Sequence, residues 1–88
     1  MADKKWFVYI LRCSDGTLYT GMTDDVPRRV EVHNSGKGAK YTRGRTPVEA
    51  VYREECGSYS AALKREAAIK KLNRQTKMEL IENQKLPK

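Results

Sequence analysis

The stretch "FVYILRCSDGTLYTG", Phe7–Gly21, decides how the rest of the chain is read, because two aromatic and β-branched runs flank an Asp-Gly turn. Trp6 to Arg12 favours a strand, the pattern breaks at "CSDGT", and it resumes at "LYTGM", as in a β-hairpin. The loop length matters, since side chains alternate faces and one extra residue changes every pairing. A two-residue loop of Asp15 and Gly16 sets Arg12 opposite Tyr19 and sends Tyr9 and Tyr19 to opposite faces. A three-residue loop of Ser14, Asp15 and Gly16, a type I turn closed by a left-handed Gly16, pairs Leu11 with Tyr19 and Tyr9 with Gly21. The two tyrosines then share a face.

Beyond the hairpin, "TDDVPRRVEVHNSG" carries helix punctuation: Asp24 or Asp25 as N-cap, Pro27 in the first turn, Gly36 just past the end. The segment "SGKGAKYTRGRTP" lacks periodicity, while "VEAVYREE" alternates as a third strand beginning at Val48. "SYSAALKREAAIKKLNR" is rich in helix formers, and Thr76 to Glu79 has the Thr-x-x-Glu form of a capping box opening a short last helix.

A chain of 88 residues has room for one core and not for a catalytic domain plus a recognition domain. Its 18 Lys and Arg against 11 Asp and Glu leave a formal charge of +7, which favours a polyanionic partner, nucleic acid first. General charging for solubility is the competing explanation, and clustering separates the two. Cys13 and Cys56 lie far apart without the nearby Cys or His of a zinc site, so reduced, partly buried thiols are expected. "MADKKWF" holds no apolar run suited to a signal peptide or a spanning helix; the expected setting is cytoplasmic, with no membrane partner.

On the first helix, Val26, Arg29, Val30 and His33 fall on one face and Arg28 on the other. Arg29 and His33 therefore flank a buried stripe. An arginine there can simply lay its stem over the core edge, and a histidine near a helix end can simply complement the dipole. The long helix sets Glu66 near the centre of an apolar arc of Tyr59, Ala62, Leu63 and Ile69, with Asn73 two turns from Glu66. A carboxylate so placed needs a cation, a metal or a hydrogen-bond network, and the bland partner is Lys70 at i+4. The Gly-rich segment clusters Lys37, Lys40, Arg43 and Arg45 around Tyr41, with no acid from Val32 through Val48. That composition suits phosphate and base contacts better than a merely solvated charge run.

In that order, these residues make the chain resemble the GIY-YIG nuclease superfamily over nearly its full length, and above all its small stand-alone members. Phe7-Val8-Tyr9 stands at the first motif and Tyr19-Thr20-Gly21 at the second. Arg29 and His33 follow Gly21 at the spacing of the helix Arg and the frequent His, and Glu66 falls at the metal-binding Glu. Phe7 replaces the Gly of the first motif and Thr20 the Ile of the second. Asn73 is not carried over as catalytic.

The resemblance implies an α+β fold: a three-stranded antiparallel sheet of hairpin plus third strand, flanked by about three helices, in one domain over residues 4–84 with a tail at 85–88. It implies a metal-dependent endonuclease cleaving DNA with weak sequence preference, RNA not being excluded, in structure-selective cutting or DNA repair and recombination. Tyr9, Tyr19, Arg29 and His33 would be catalytic, and Glu66 would hold one Mg²⁺ or Mn²⁺ ion. Tyr9 and His33 are both candidates for the base. Lys37, Lys40, Tyr41, Arg43 and Arg45 would contact nucleic acid. The alternative keeps the fold as a non-catalytic nucleic-acid-binding module or a partner-dependent nuclease subunit. A site shared by the tyrosines requires the three-residue loop, with Gly16 at positive φ, both rings on the face of Arg29, and Gly21 across from Tyr9.

Overall fold

The computed structural model describes residues 5–85, so the expected first residue, 4, and residues 86–88 of the expected tail lie outside it. The strands are β1 (Trp6–Arg12), β2 (Leu18–Thr23) and β3 (Glu49–Cys56); the helices are α1 (Val26–Asn34), α2 (Tyr59–Lys70) and α3 (Arg74–Lys85). The sheet is antiparallel in the order β2-β1-β3, which puts β1 in the middle.

The hairpin closes through the three-residue loop. The Cys13 N–H donates to Thr17 O and the Gly16 N–H to Cys13 O, both at 2.9 Å, and Gly16 has φ +86°. The Asp15 carboxylate fastens the turn by accepting from the Thr17 N–H at 3.1 Å and its hydroxyl at 2.6 Å. Those two bonds hold its pKa below the usual carboxylate value, with Arg45 adding to the effect. Leu11 consequently pairs with Tyr19 and Tyr9 with Gly21.

Strand β1 has two kinds of neighbour. Val8 and Ile10 pack with Tyr52, Ala62, Ile69 and Ile81 beneath α2 and α3. Tyr9 and Leu11 pack with Cys13, Val26 and Val48, with Val30 of α1 and Tyr19 beside them. Strand β3 serves both sides through a bulge: Ile10 pairs with Tyr52 but Leu11 with Ala50, so Val51 is extra. Strict alternation would place Val48 and Tyr52 on one face. The bulge sends Val48 to the Tyr9 side and Tyr52 to the other.

Helix α1 starts at Asp25, whose side chain accepts from the Arg28 N–H, and Gly36 at φ +85° follows its end. The Asn34 amide then ties that end to the entry of β3, donating to Val48 O at 3.1 Å and accepting from the Val48 N–H at 2.7 Å. Gln84 of α3 does the same to the N–H and C=O of Arg53, covering part of the free edge of β3.

Two readings of the C-terminal half need correction. The last helix opens three residues before Thr76: Asn73 Oδ1 accepts from the Thr76 N–H at 2.8 Å and Asn73 O from the Lys77 N–H at 3.1 Å. Asn73 is thus the N-cap, a role a short amide fills well, and α2 stops at Lys70 without reaching it. Tyr59 and Leu63 are also exposed, so the buried stripe of α2 is Ala62 and Ile69 with Glu66 between them. Both cysteines are free, Cys13 buried and Cys56 half-buried. Among the described residues, no helix is long and apolar enough to cross a membrane.

Candidate active site

Tyr9 occupies the centre of the site because β1 is the middle strand and Gly21 faces it across the ladder. A Cβ on Gly21 would stand 2.5 Å from the Tyr9 hydroxyl oxygen, 2.7 Å from Cζ and 3.1 Å from a Tyr19 ring carbon. Only glycine lets the tyrosine lie flat there. Tyr19, two residues before Gly21, packs in the same cluster, its ring centroid 5.4 Å from that of His33. Helix α1 brings Val26 and His33 inward, leaves Arg29 and Val30 half-buried, and turns Arg28 to solvent, as its periodicity predicts.

Hydrogen bonding fixes the protons. The Tyr9 hydroxyl is 3.1 Å from His33 Nε2, and His33 Nδ1 is 2.8 Å from Thr42 Oγ1. The Thr42 hydroxyl in turn donates to Ala39 O at 2.8 Å. A carbonyl only accepts, so the single hydroxyl proton of Thr42 is committed to Ala39, and Nδ1 must carry the proton it shares with Oγ1. In the neutral ring Nε2 is then an acceptor and the Tyr9 O–H donates to it. His33 is fully buried; that burial, with the Arg29 charge second, keeps its pKa below the ordinary histidine value. Burial likewise pushes the Tyr9 phenol up to about 12; hydrogen bonding and charge from Arg29 oppose this, while Tyr19 and Glu66 add to it. Near neutral pH the pair is therefore a protonated phenol donating to a neutral imidazole.

Glu66 is within electrostatic reach of the Tyr9 hydroxyl. Its side chain is only 17 % exposed, and Lys70 Nζ stands 3.5 Å from Oε2. The bland partner is thus real, but it engages one oxygen. Among the described residues no group of three His, Cys, Asp or Glu could cage a metal. One largely buried carboxylate fits a Mg²⁺ or Mn²⁺ ion whose remaining positions are water and phosphate oxygens, and does not fit a zinc site. Arg65, next to Glu66, is anchored through Nε to both oxygens of Glu54 at 3.1 and 3.0 Å, and Tyr52 donates to that carboxylate at 2.6 Å. This anchor fixes the rotation of α2 and with it the direction of Glu66.

The basic segment divides. Lys37, Lys40 and Arg43 are exposed and in no ion pair among the described residues. Arg45 is engaged: Nε donates to Asp15 Oδ2 at 3.0 Å, Nη1 donates to Tyr41 O at 2.7 Å, and its guanidinium carbon lies 4.3 Å from the centroid of the Tyr41 ring. Tyr41 also stacks on Tyr19, centroids 5.8 Å apart. Sequence reasoning missed Thr42, fully buried, and Gly38, where a Cβ would overlap His33 Nδ1 and approach its Cα and Cγ to 2.8 Å. Both sit inside a segment whose charge and glycines read as a solvent-facing loop. No spacing rule marks Thr42 as the partner of His33, so only a glycine beside an unexplained buried histidine could have hinted at it.

Known proteins share the family profile and the fold. The profile of the GIY-YIG catalytic domain matches residues 5–79. The chain is 57 % identical over 77 residues to a UPF0213 protein of Desulfotalea psychrophila, covering 86 % of this chain and 70 % of that one. It is also 57 % identical over 75 residues to a UPF0213 protein of Natronomonas pharaonis, covering 85 % and 88 %. Solution structures similar to it are a UPF0213 protein of Bacillus halodurans (TM-score 0.60, 46 % identity, covering 94 % of this chain and 88 % of that one) and a protein of E. faecalis (TM-score 0.64, 41 % identity, 98 % and 92 %).

Proposed function

The chain belongs to the GIY-YIG catalytic domain family, and from that premise we propose that it is an endonuclease, dependent on a divalent metal, that hydrolyses DNA phosphodiester bonds with weak sequence preference. The carrying observation is the buried hydrogen bond between the Tyr9 hydroxyl and His33 Nε2, on a phenol that also feels the charges of Arg29 and Glu66.

Tyr9 alone, with a pKa near 12, is a poor base at neutral pH. Paired with neutral His33 it becomes an effective one: as the phenol oxygen takes a proton from the attacking water, its own proton passes to Nε2. The water oxygen bonds to phosphorus while the bond to the leaving oxygen breaks, and that oxygen departs with the electron pair and takes a proton from solvent to become a hydroxyl. Arg29 neutralises charge growing on the phosphate and favours transient phenolate character at Tyr9. Tyr19 keeps the imidazole in place by ring contact. When bound at Glu66, a Mg²⁺ or Mn²⁺ ion would supply positive charge to a phosphate oxygen and acidity to its own water.

Lys37, Lys40 and Arg43 would track the phosphate backbone next to this centre, giving affinity without base readout. Arg45 and Tyr41 would keep that track in shape, Tyr41 presenting what remains of its exposed ring to a base. We place the activity in one domain over residues 4–84, with 85–88 as tail, acting in the cytoplasm on DNA that is branched, damaged or single-stranded.

The test is incubation with supercoiled plasmid and with branched and single-stranded DNA, with Mg²⁺ or Mn²⁺ and without metal, beside a Glu66→Ala control. The parent protein is expected to cut only with metal, and Glu66→Ala to fall to background with an unchanged circular dichroism spectrum. Equal cutting by the two proteins would overturn the metal assignment. The absence of cutting on every substrate, with binding retained, would leave the non-catalytic binding module standing.

A further inference from the structure

We propose that Thr42 is a positioning residue of this site: its hydroxyl holds His33 in the Nδ1–H tautomer and so keeps Nε2 free to receive the Tyr9 proton. The catalytic consequence rests on the nuclease reading above; the tautomer itself does not.

Ala39 O receives both the Thr42 N–H, at 3.0 Å, and the Thr42 hydroxyl, at 2.8 Å, within the single 3₁₀ turn Lys40–Thr42. Reversing the hydroxyl toward Nδ1 would leave two oxygens facing each other at 2.8 Å with no proton between them, on a threonine that is itself fully buried. The turn therefore fixes the hydroxyl, and the hydroxyl fixes the imidazole. His33 is nine residues away in sequence, and among the described residues its other nitrogen hydrogen-bonds the phenol of Tyr9 alone. In the opposite tautomer, Nε2–H would point at the phenol oxygen and Nδ1 would face Oγ1 with no proton between them; the proton path from Tyr9 would be closed.

Thr42 is not a relay member, because its proton ends on a carbonyl that cannot pass it on. Gly38 completes the cradle, since any side chain there would displace the ring. Three further contacts hold the segment against the sheet: Tyr41 on Tyr19, Arg45 on Asp15, and the Ser14 N–H on Arg45 O at 2.8 Å. The interior of a basic segment that reads as a substrate track, Gly38 to Thr42, is thus the socket of the histidine.

His33 is the chain's single histidine, so its nitrogen resonances can be read without ambiguity in ¹⁵N-histidine-labelled protein freed of any affinity tag. The parent, Thr42→Ser and Thr42→Val are compared by ¹⁵N NMR at neutral pH and by DNA cleavage with Mn²⁺. Expected are a protonated Nδ1 and an unprotonated Nε2 in the parent and in Thr42→Ser. Thr42→Val should show mixed or reversed tautomers and cleave about 10²-fold more slowly, the lower end of what acid–base catalysis contributes. Thr42→Ser should restore most of that loss. A parent spectrum with Nε2 protonated would overturn the proposal even if Thr42→Val failed to fold. So would a Thr42→Val protein that keeps the Nδ1–H tautomer, whatever its cleavage rate. Failure of the parent to cut DNA would refute the nuclease reading, and the spectra would still decide the tautomer.

Discussion

Alternate residues of β1 look into two different worlds. Val8 and Ile10 enter a dry layer closed by Ala62, Ile69 and Ile81, where dispersion and the exclusion of water do the stabilising. Tyr9 enters a second apolar cluster, with Leu11, Val26 and Val48, that also encloses a polar chain, and there every proton of the Tyr9–His33–Thr42 chain has a destination. The dry face is sensitive to carbon removed and the polar face to carbon added. A seven-residue strand carries both because neighbouring side chains never share a side.

The largest expected effect on stability falls on the dry face. Ile69→Ala should lower unfolding stability by about 2–5 kcal/mol, read as a shift of the urea midpoint at constant slope. Cleavage by the folded fraction should stay within about twofold of the parent. A loss below about 1 kcal/mol would show that α2 holds the sheet by something other than this layer.

Next comes overpacking of the polar face. Gly21→Ala places a carbon against a phenol that burial and the bond to His33 keep from swinging away. A loss of about 1–3 kcal/mol is expected. Cleavage should fall far more than that loss of stability implies, because the displaced group is the reacting hydroxyl. Unaltered cleavage by Gly21→Ala would refute the central place given to Tyr9.

The smallest effect carries the opposite sign. Among the described residues, Thr20 Oγ1 is buried with no hydrogen-bond partner. Thr20→Val keeps the shape and removes the unpaired hydroxyl, so it should raise stability by about 1 kcal/mol, seen as a higher urea midpoint. The same exchange at Thr42 strips partners from Ala39 and His33 and should lower it. If both changes had the same sign, the distinction between the faces would fail.

Much of this was legible in the chain. The aromatic runs about Asp15-Gly16 gave two strands, the Asp–Pro–Gly punctuation gave α1, and the order Tyr9, Tyr19, Arg29, His33, Glu66 carried the family. What stayed hidden depended on partners distant in sequence. The capping pattern at Thr76–Glu79 lost to Asn73, three residues earlier, because a local motif says nothing of where the preceding helix must end to pack Ile69 and Leu72. Tyr59 and Leu63 looked like core because helical periodicity defines a stripe without saying how wide a strip the sheet will cover.

The sequence by itself determined which residue types stand at which local spacing. That was enough for the two strands of the hairpin and for the helix stripe that carries His33 inward, for backbone sterics and side-chain alternation act between near neighbours; the three-residue loop and the pairing of Tyr9 with Gly21 followed only from requiring the two tyrosines to share a face. Only the tertiary structure decided that Val51 bulges so that β3 serves both faces, that Arg45 closes on Asp15, and that Thr42 sets the proton on His33. Each of those depends on a hydrogen bond or a strand pairing between segments distant in sequence, whose approach is fixed by the whole packed fold.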